Sequence, residues 1–474
     1  MLLRRFYHTK LAQASYLIGC PATGEAIVID ANRSVEQYQE AAEAESLRIT
    51  HVTETHIHAD FISGSRELAE LVGARLLLSD EGGPAWRYRY AEEAGATLLT
   101  DGDHFAVGAV RFDVVHTPGH TPEHLAFLVT DTAVSDRPMG ALTGDFIFVG
   151  DVGRPDLLET AVGIAGAAGR EARRLFRSLQ RLKTLPDYLQ LWPGHGAGSA
   201  CGKALGAMPQ TTLGYERLVN WALTTTDEES FVRQALADQP EPPRYFSEMK
   251  RINRDGPRLL ERAAPPSRLA AGRVAGLLDR GALVLDLRPA AAFAAGHLPG
   301  TINIPYDRSF TTWAGWLVPY TDDVYLLAGD ADTRRLGAIM ADLAMIGLDR
   351  VAGYFGADVL EVWTEEGRPL ATIPQLSATD VAALGAGAQI VDVRWPREWA
   401  TGHLPGAANL PLPDLLERIG ELPTDRTLVM QCQGGGRASI AAGLLSSRGH
   451  RVANLAGGYA AWTAAGLPVE RDPG

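Results

Sequence analysis

Within six residues, Thr55-His56-Ile57-His58-Ala59-Asp60 offers two imidazoles and a carboxylate. Such a cluster at the end of an apolar strand is a compact donor set for a metal ion. Further donors come in chain order: His116 and His120 in His-Thr-Pro-Gly-His-Thr, Asp145 in Thr-Gly-Asp, and His195 in Trp-Pro-Gly-His-Gly. A lone histidine is more often a satisfied structural residue. Each of these, however, follows an apolar strand and sits in a turn with Gly or Pro, so all can converge on one edge of a layered fold. Spacing alone favours zinc held by His56, His58 and His120. His116 and His124 read as hydrogen-bonding residues rather than ligands.

A second chemistry lies in Cys432-Gln433-Gly434-Gly435-Gly436-Arg437, between the apolar Leu428-Val429-Met430-Gln431 and an apolar helix. Three glycines let the backbone curl so that its N–H groups face the sulfur, and the helix N-terminus adds positive potential. Both lower a thiol pKa, so the loop can cradle a thiolate, a persulfide or an oxyanion. Cys201, six residues after His195, is expected at the rim of the first site; if that site handles sulfur, as the family resemblance given below implies, Cys201 would receive or pass a sulfane sulfur. Cys20 reads as packing.

The elements that must position these residues are short. Ser15–Ile18, Ala26–Ile29, Arg75–Leu78, Val110–Val115 and Leu125–Val129 have strand patterns, and Ser34–Ala44, Ser65–Leu71 and Gly169–Leu182 have helical spacing. Pro-rich interruptions follow at 239–243 and 263–267, the second the better linker. Beyond it the sequence repeats. Val284-Leu285-Asp286-Leu287-Arg288 and Gly296-His297-Leu298-Pro299-Gly300 return 106 residues later as Ile390-Val391-Asp392-Val393-Arg394 and Gly402-His403-Leu404-Pro405-Gly406. Three domains are expected, at 1–262, 267–371 and 374–474, in a chain of 474 residues that is too long for one core. The formal net charge of -13 argues against a nucleic-acid surface. No apolar run approaches the roughly 20 residues that span a bilayer. Three widely spaced cysteines fit a reducing compartment, so a cytoplasmic protein without membrane association is expected.

The histidine and aspartate motifs resemble the metallo-β-lactamase superfamily over roughly residues 1–250, which implies an αβ/βα sandwich with a metal site at one edge. That superfamily usually has histidine at the position of Phe61, so a ligand typical of a second metal is missing and a dinuclear zinc hydrolase is disfavoured. Thr55–Gly64 and Gly150-Asp151-Val152-Gly153-Arg154-Pro155-Asp156 look like the persulfide dioxygenases. That resemblance implies one Fe(II) per chain on His56, His120 and Asp145, with His58, Asp60 and His195 orienting ligands or water. It implies a small-molecule persulfide and dioxygen as substrates.

Residues 374–474 resemble the rhodanese family, which implies that Cys432 carries sulfane sulfur to an acceptor such as sulfite and that Arg437 binds the anion. The first repeat departs: aligning Arg334 with Arg437 puts Gly329 where Cys432 stands, so that copy should be non-catalytic. The combined expectation is an α/β multidomain enzyme that makes sulfite and then thiosulfate, assembled as a dimer or tetramer. The rivals are a glyoxalase-like zinc thioester hydrolase and a sulfur carrier with a vestigial metal domain.

Overall fold

The structure is a computed structural model and describes residues 1–160, 163, 166–239, 241–260 and 266–471. Pro240 and residues 261–265, in the two Pro-rich interruptions, lie outside the described residues. The chain forms two compact units, Met1–Glu261 with Ala341–Gly347, and Arg262–Met340 with Leu348–Gly474.

The first unit holds two six-stranded sheets. One runs in chain order through Leu2–His8, Gln13–Cys20, Glu25–Ile29, Arg48–Thr53, Arg75–Ser79 and Thr97–Leu99. The other runs Thr211–Thr212, Gln190–Pro193, Gly140–Gly144, Leu125–Asp131, Val110–His116, His104–Val107. Successive side chains of a strand point to opposite faces, and Gln13–Cys20 uses both. Tyr16 and Ile18 enter the layer between the sheets with Phe112, Phe127 and Leu142, while Leu17 packs on the outer face with Tyr38 and Leu68 of the flanking helices. Helix Ala167–Leu182 covers the second sheet through Leu175 and Leu179 against Ala141 and Leu191. This is the layered αβ/βα sandwich expected from the sequence.

In the second unit each repeat builds its own parallel sheet. The first has the order Ile302–Asn303, Leu283–Asp286, Val324–Ala328, Val351–Gly356; the second Gln375–Leu376, Val452–Leu455, Thr427–Gln431, Ala388–Asp392, Ala408–Asn409. The Asp-x-Arg pairs are structural in both copies. Arg288 and Arg394 each clamp their own Asp286 or Asp392 and donate to the carbonyl of Gly296 or Gly402. Asn303 and Asn409 tie the same corner from the neighbouring strand. Helix Gly436–Ser446 of the second copy packs on the first, where Gly443 leaves room for Phe293.

Candidate metal centre and sulfur-carrying loop

Each expected metal donor leaves the end of a strand: His56 follows Arg48–Thr53, His120 follows Val110–His116, Asp145 follows Gly140–Gly144 and His195 follows Gln190–Pro193. The fold brings them to one buried place. Among the described residues, ligand atoms of His56, His120 and Asp145 lie within 4.8 Å of one another. His120 Nε2 is 3.5 Å and His56 Nε2 4.0 Å from Asp145 Oδ2. Gly144 permits this approach, because its φ is +47° and a Cβ there would stand 2.5 Å from Thr55 Oγ1.

Hydrogen bonds set the imidazole tautomers. Asp30 accepts the Thr55 hydroxyl at 3.0 Å, so Thr55 Oγ1 can only accept from His56 Nδ1, also at 3.0 Å. His120 Nδ1 donates to Arg154 O at 3.1 Å, and His195 Nδ1 to Ala12 O at 3.0 Å. The His56 and His120 rings therefore present an Nε2 lone pair. Burial, aided by neighbouring positive charges, holds His56 and His120 well below the usual histidine range, so both are neutral. Burial pushes the Asp145 carboxyl up to about 6; His195 opposes this and Asp60 adds to it. His56 Nε2, His120 Nε2 and both Asp145 oxygens have no hydrogen-bond partner. Buried donors of this kind, two neutral nitrogens and a carboxylate, fit a divalent cation.

The other expected residues fall differently. His58 turns away to Asp30, 3.1 Å from Oδ1; burial alone would lower its pKa, but Asp30, Glu54 and Asp60 raise it to about 9. It joins neither group of potential ligands, so the set His56, His58, His120 is not assembled. Asp60, His195 and Cys201 form a second group, with His195 Nε2 3.3 Å from Asp60 Oδ2 and 3.4 Å from Asp145 Oδ1. Cys201 is thus not at a rim. It is 1% exposed, and burial together with Asp60 and Asp145 holds its thiol well above the ordinary range. Phe61 supplies no ligand, and Asp60, His195 and Cys201 are the other group of potential donors that the fold brings together among the described residues.

Some supporting residues escaped the sequence reading. Asp30 sits in a left-handed conformation, φ +54°, and binds both Thr55 and His58. His124, by contrast, which the sequence marks as a hydrogen-bonding residue, accepts the Asp145 N–H at 3.1 Å. Asn253, on helix Tyr245–Asp255, donates to His58 O and Phe61 O and accepts from Ser63 N. The nearest signal for these was the Thr-Glu-Thr-His run itself; Asp30 and Asn253 are too distant in sequence to be linked to it.

In the second repeat, Cys432 is 2% exposed at the end of strand Thr427–Gln431, and Gly435 N donates to its Sγ at 3.1 Å. Gln433, Gly434 and Gly436 carry the exposed part of the turn. Gly458, φ +57°, seals the loop from below: a Cβ there would lie 2.1 Å from Cys432 O. Arg437 differs from expectation. Its Nη1 and Nη2 donate to Glu398 at 2.6 and 2.7 Å, so its fork anchors the loop instead of facing an anion.

Strand register corrects the first repeat as well. Asp286 pairs with Leu327 and Asp392 with Gln431, which puts Ala328, not Gly329, in the place of Cys432. No nucleophile stands there either way. The buried Asp332 carboxylate turns back onto Gly329 N at 3.3 Å, filling the cradle from within.

Residues 8–195 match the metallo-beta-lactamase superfamily, and 270–356 and 377–465 each match the rhodanese-like domain. The crystal structure of a metallo-beta-lactamase from Staphylococcus aureus subsp. aureus COL is 41% identical, covers 75% of this chain and 99% of its own, and superposes with a TM-score of 0.67. The mitochondrial persulfide dioxygenase of Bos taurus is 27% identical over 236 residues, 48% of this chain and 78% of the relative. The hydroxyacylglutathione hydrolase of Rhodospirillum rubrum is 31% identical over 180 residues, 38% of this chain and 60% of the relative. The chain belongs to the metallo-beta-lactamase superfamily, with two rhodanese-like domains following that domain. Among the described residues, no helix is long and apolar enough to cross a membrane.

Proposed function

We propose that the N-terminal domain is an iron-dependent persulfide dioxygenase and that the last domain is a sulfurtransferase, together turning a low-molecular-weight persulfide into thiosulfate in sulfide detoxification. The observation that carries this reading is the buried group of His56, His120 and Asp145, with both Nε2 lone pairs and a carboxylate unpartnered. Two imidazoles and one carboxylate are the donor set that leaves open positions on Fe(II). Bound there, one Fe(II) per chain supplies a site for anionic sulfur and for dioxygen together. Thr55 and the Arg154 carbonyl hold the two imidazoles in their ligand tautomers, and the buried walls exclude bulk water. The balance is R–S–SH, O2 and H2O giving R–SH, sulfite and two protons; the outer sulfur loses four electrons and dioxygen gains them.

The Cys432 thiolate attacks the outer sulfur of a second persulfide, the donor S–S bond breaks, and the parent thiolate leaves, so that Cys432 carries the sulfane sulfur. The sulfur lone pair of sulfite then attacks the outer sulfur of Cys432–S–SH, the S–S bond breaks, thiosulfate leaves with loss of a proton, and Gly435 N–H steadies the departing thiolate. The domains are taken as 1–262, 267–371 and 374–474, in a cytoplasmic dimer or tetramer, a compartment that suits three free cysteines.

The decisive experiment measures metal content, oxygen uptake and sulfite on one preparation. About one iron per chain, with uptake lost in His56→Ala, supports the proposal. The group Asp60, His195 and Cys201 favours one other reading, a glyoxalase-like zinc hydrolase; two metals per chain with thioester cleavage and no oxygen uptake would establish that instead.

A further inference from the structure

The first unit takes in seven residues of the non-catalytic repeat, Ala341–Gly347, which form the end of helix Leu336–Met345 and the turn after it. Leu343, Met345 and Ile346 are fully buried there, and Asp342 is buried too. Two ties join the segment to the metal centre. The Met345 carbonyl accepts the Ile62 N–H at 2.7 Å, two residues beyond Asp60. A Cβ on Gly347, whose φ is +74°, would stand 3.3 Å from Ile62 and Met249 and 3.4 Å from Ile252. Met249 and Ile252 lie on helix Tyr245–Asp255, whose Asn253 holds the Phe61 carbonyl. On the other side, the Asp342 carboxylate pairs with Lys10 and lies 3.4 Å from His8 Nε2, at the turn that joins Leu2–His8 to Gln13–Cys20. That turn ends on Ala12, φ +50°, whose carbonyl accepts His195 Nδ1 at 3.0 Å and the Gly196 N–H at 3.1 Å. One segment therefore grips both loops that bring Asp60 and His195 to 3.3 Å from each other, with His195 3.4 Å from Asp145. Desolvation offsets much of the attraction in a buried ion pair, so its lasting effect is to fix where the two chain segments lie.

We propose that the non-catalytic repeat is a positioning element for the metal centre, with Asp342 and the Met345 carbonyl setting the separation of His195 and Asp60. The inference rests on the dioxygenase reading above and gives a role to the repeat that carries no nucleophile. His195 touches Asp145, so a shift of its loop alters how that carboxylate is aimed at a bound metal ion.

The test uses the full-length chain with Asp342→Asn and Gly347→Ala. Arg350→Ala, which breaks an exposed ion pair to Asp323 in the same repeat, is the control. Co(II) is titrated into metal-free protein as a spectroscopic probe. Both variants should shift the visible ligand-field bands of the bound ion and weaken its binding about tenfold, while Arg350→Ala behaves as wild type. In iron-loaded protein, kcat for oxygen uptake should fall about tenfold with KM kept within about threefold, and sulfur transfer to added sulfite at Cys432 should be unchanged. Wild-type bands and affinity in both variants overturn the proposal. A joint loss of both activities at a lowered melting temperature overturns it as well, because the segment would then be a general structural contact. If the wild-type chain takes up no oxygen while the Co(II) bands still respond to the two substitutions, the dioxygenase reading fails and the positioning role stands.

Discussion

A histidine becomes a metal ligand through the atom on its far side. Thr55 illustrates this: with its proton given to Asp30, it can only accept from His56 Nδ1, which leaves Nε2 bare. Thr55→Val keeps the volume and removes the relay, so iron affinity should fall about 10–100-fold, read by competition with a chelator, while the fold persists. Charge separates His58 from His56 although only Ile57 lies between them: Asp30, with Glu54 and Asp60, outweighs burial and raises the His58 pKa to about 9, and His58 joins neither group of potential ligands. Arg437 and Glu398 teach the converse. A residue type suited to anions is spent on a carboxylate once the fold supplies one at 2.6 Å.

Loops and helices hold these side chains by backbone contacts that a substitution can probe. Asn253 satisfies three backbone groups around the His56–Asp60 loop, and Asn253→Ala would leave them unpaired in a buried place. Unfolding of the first unit should become easier by about 1–3 kcal/mol in a denaturant titration, with weaker iron retention. In the Cys432 loop, Gly458→Ala meets Cys432 O at 2.1 Å and a left-handed backbone, so the cysteine must move. Thiosulfate formation should drop about 100-fold while oxygen uptake stays. In the first repeat, Ala328→Cys in a Cys432→Ser chain should restore no measurable sulfur transfer. The cradle there is already filled by Asp332, and the assay is thiosulfate yield from persulfide and sulfite.

At the scale of the molecule, the two candidate sites lie in different compact units, and the activities proposed for them should come apart cleanly. Removal of iron by a chelator should abolish oxygen uptake and spare sulfur transfer to added sulfite; Cys432→Ser should do the reverse, with sulfite accumulating in place of thiosulfate. Much of this was legible in the chain. Short apolar runs and strand-end turns foretold the layers, the 106-residue repeat foretold the second unit, and the histidine, aspartate and cysteine motifs marked the candidate sites, because local pattern and short-range spacing are properties of neighbouring residues. What the sequence could not express was which distant groups meet. Asp30 holding Thr55 and His58, Cys201 joining Asp60, Glu398 taking Arg437, and Ala328 rather than Gly329 matching Cys432 all depend on strand register and on how the layers stack. Those contacts are made only once the elements pack, since each partner lies beyond the reach of any local pattern.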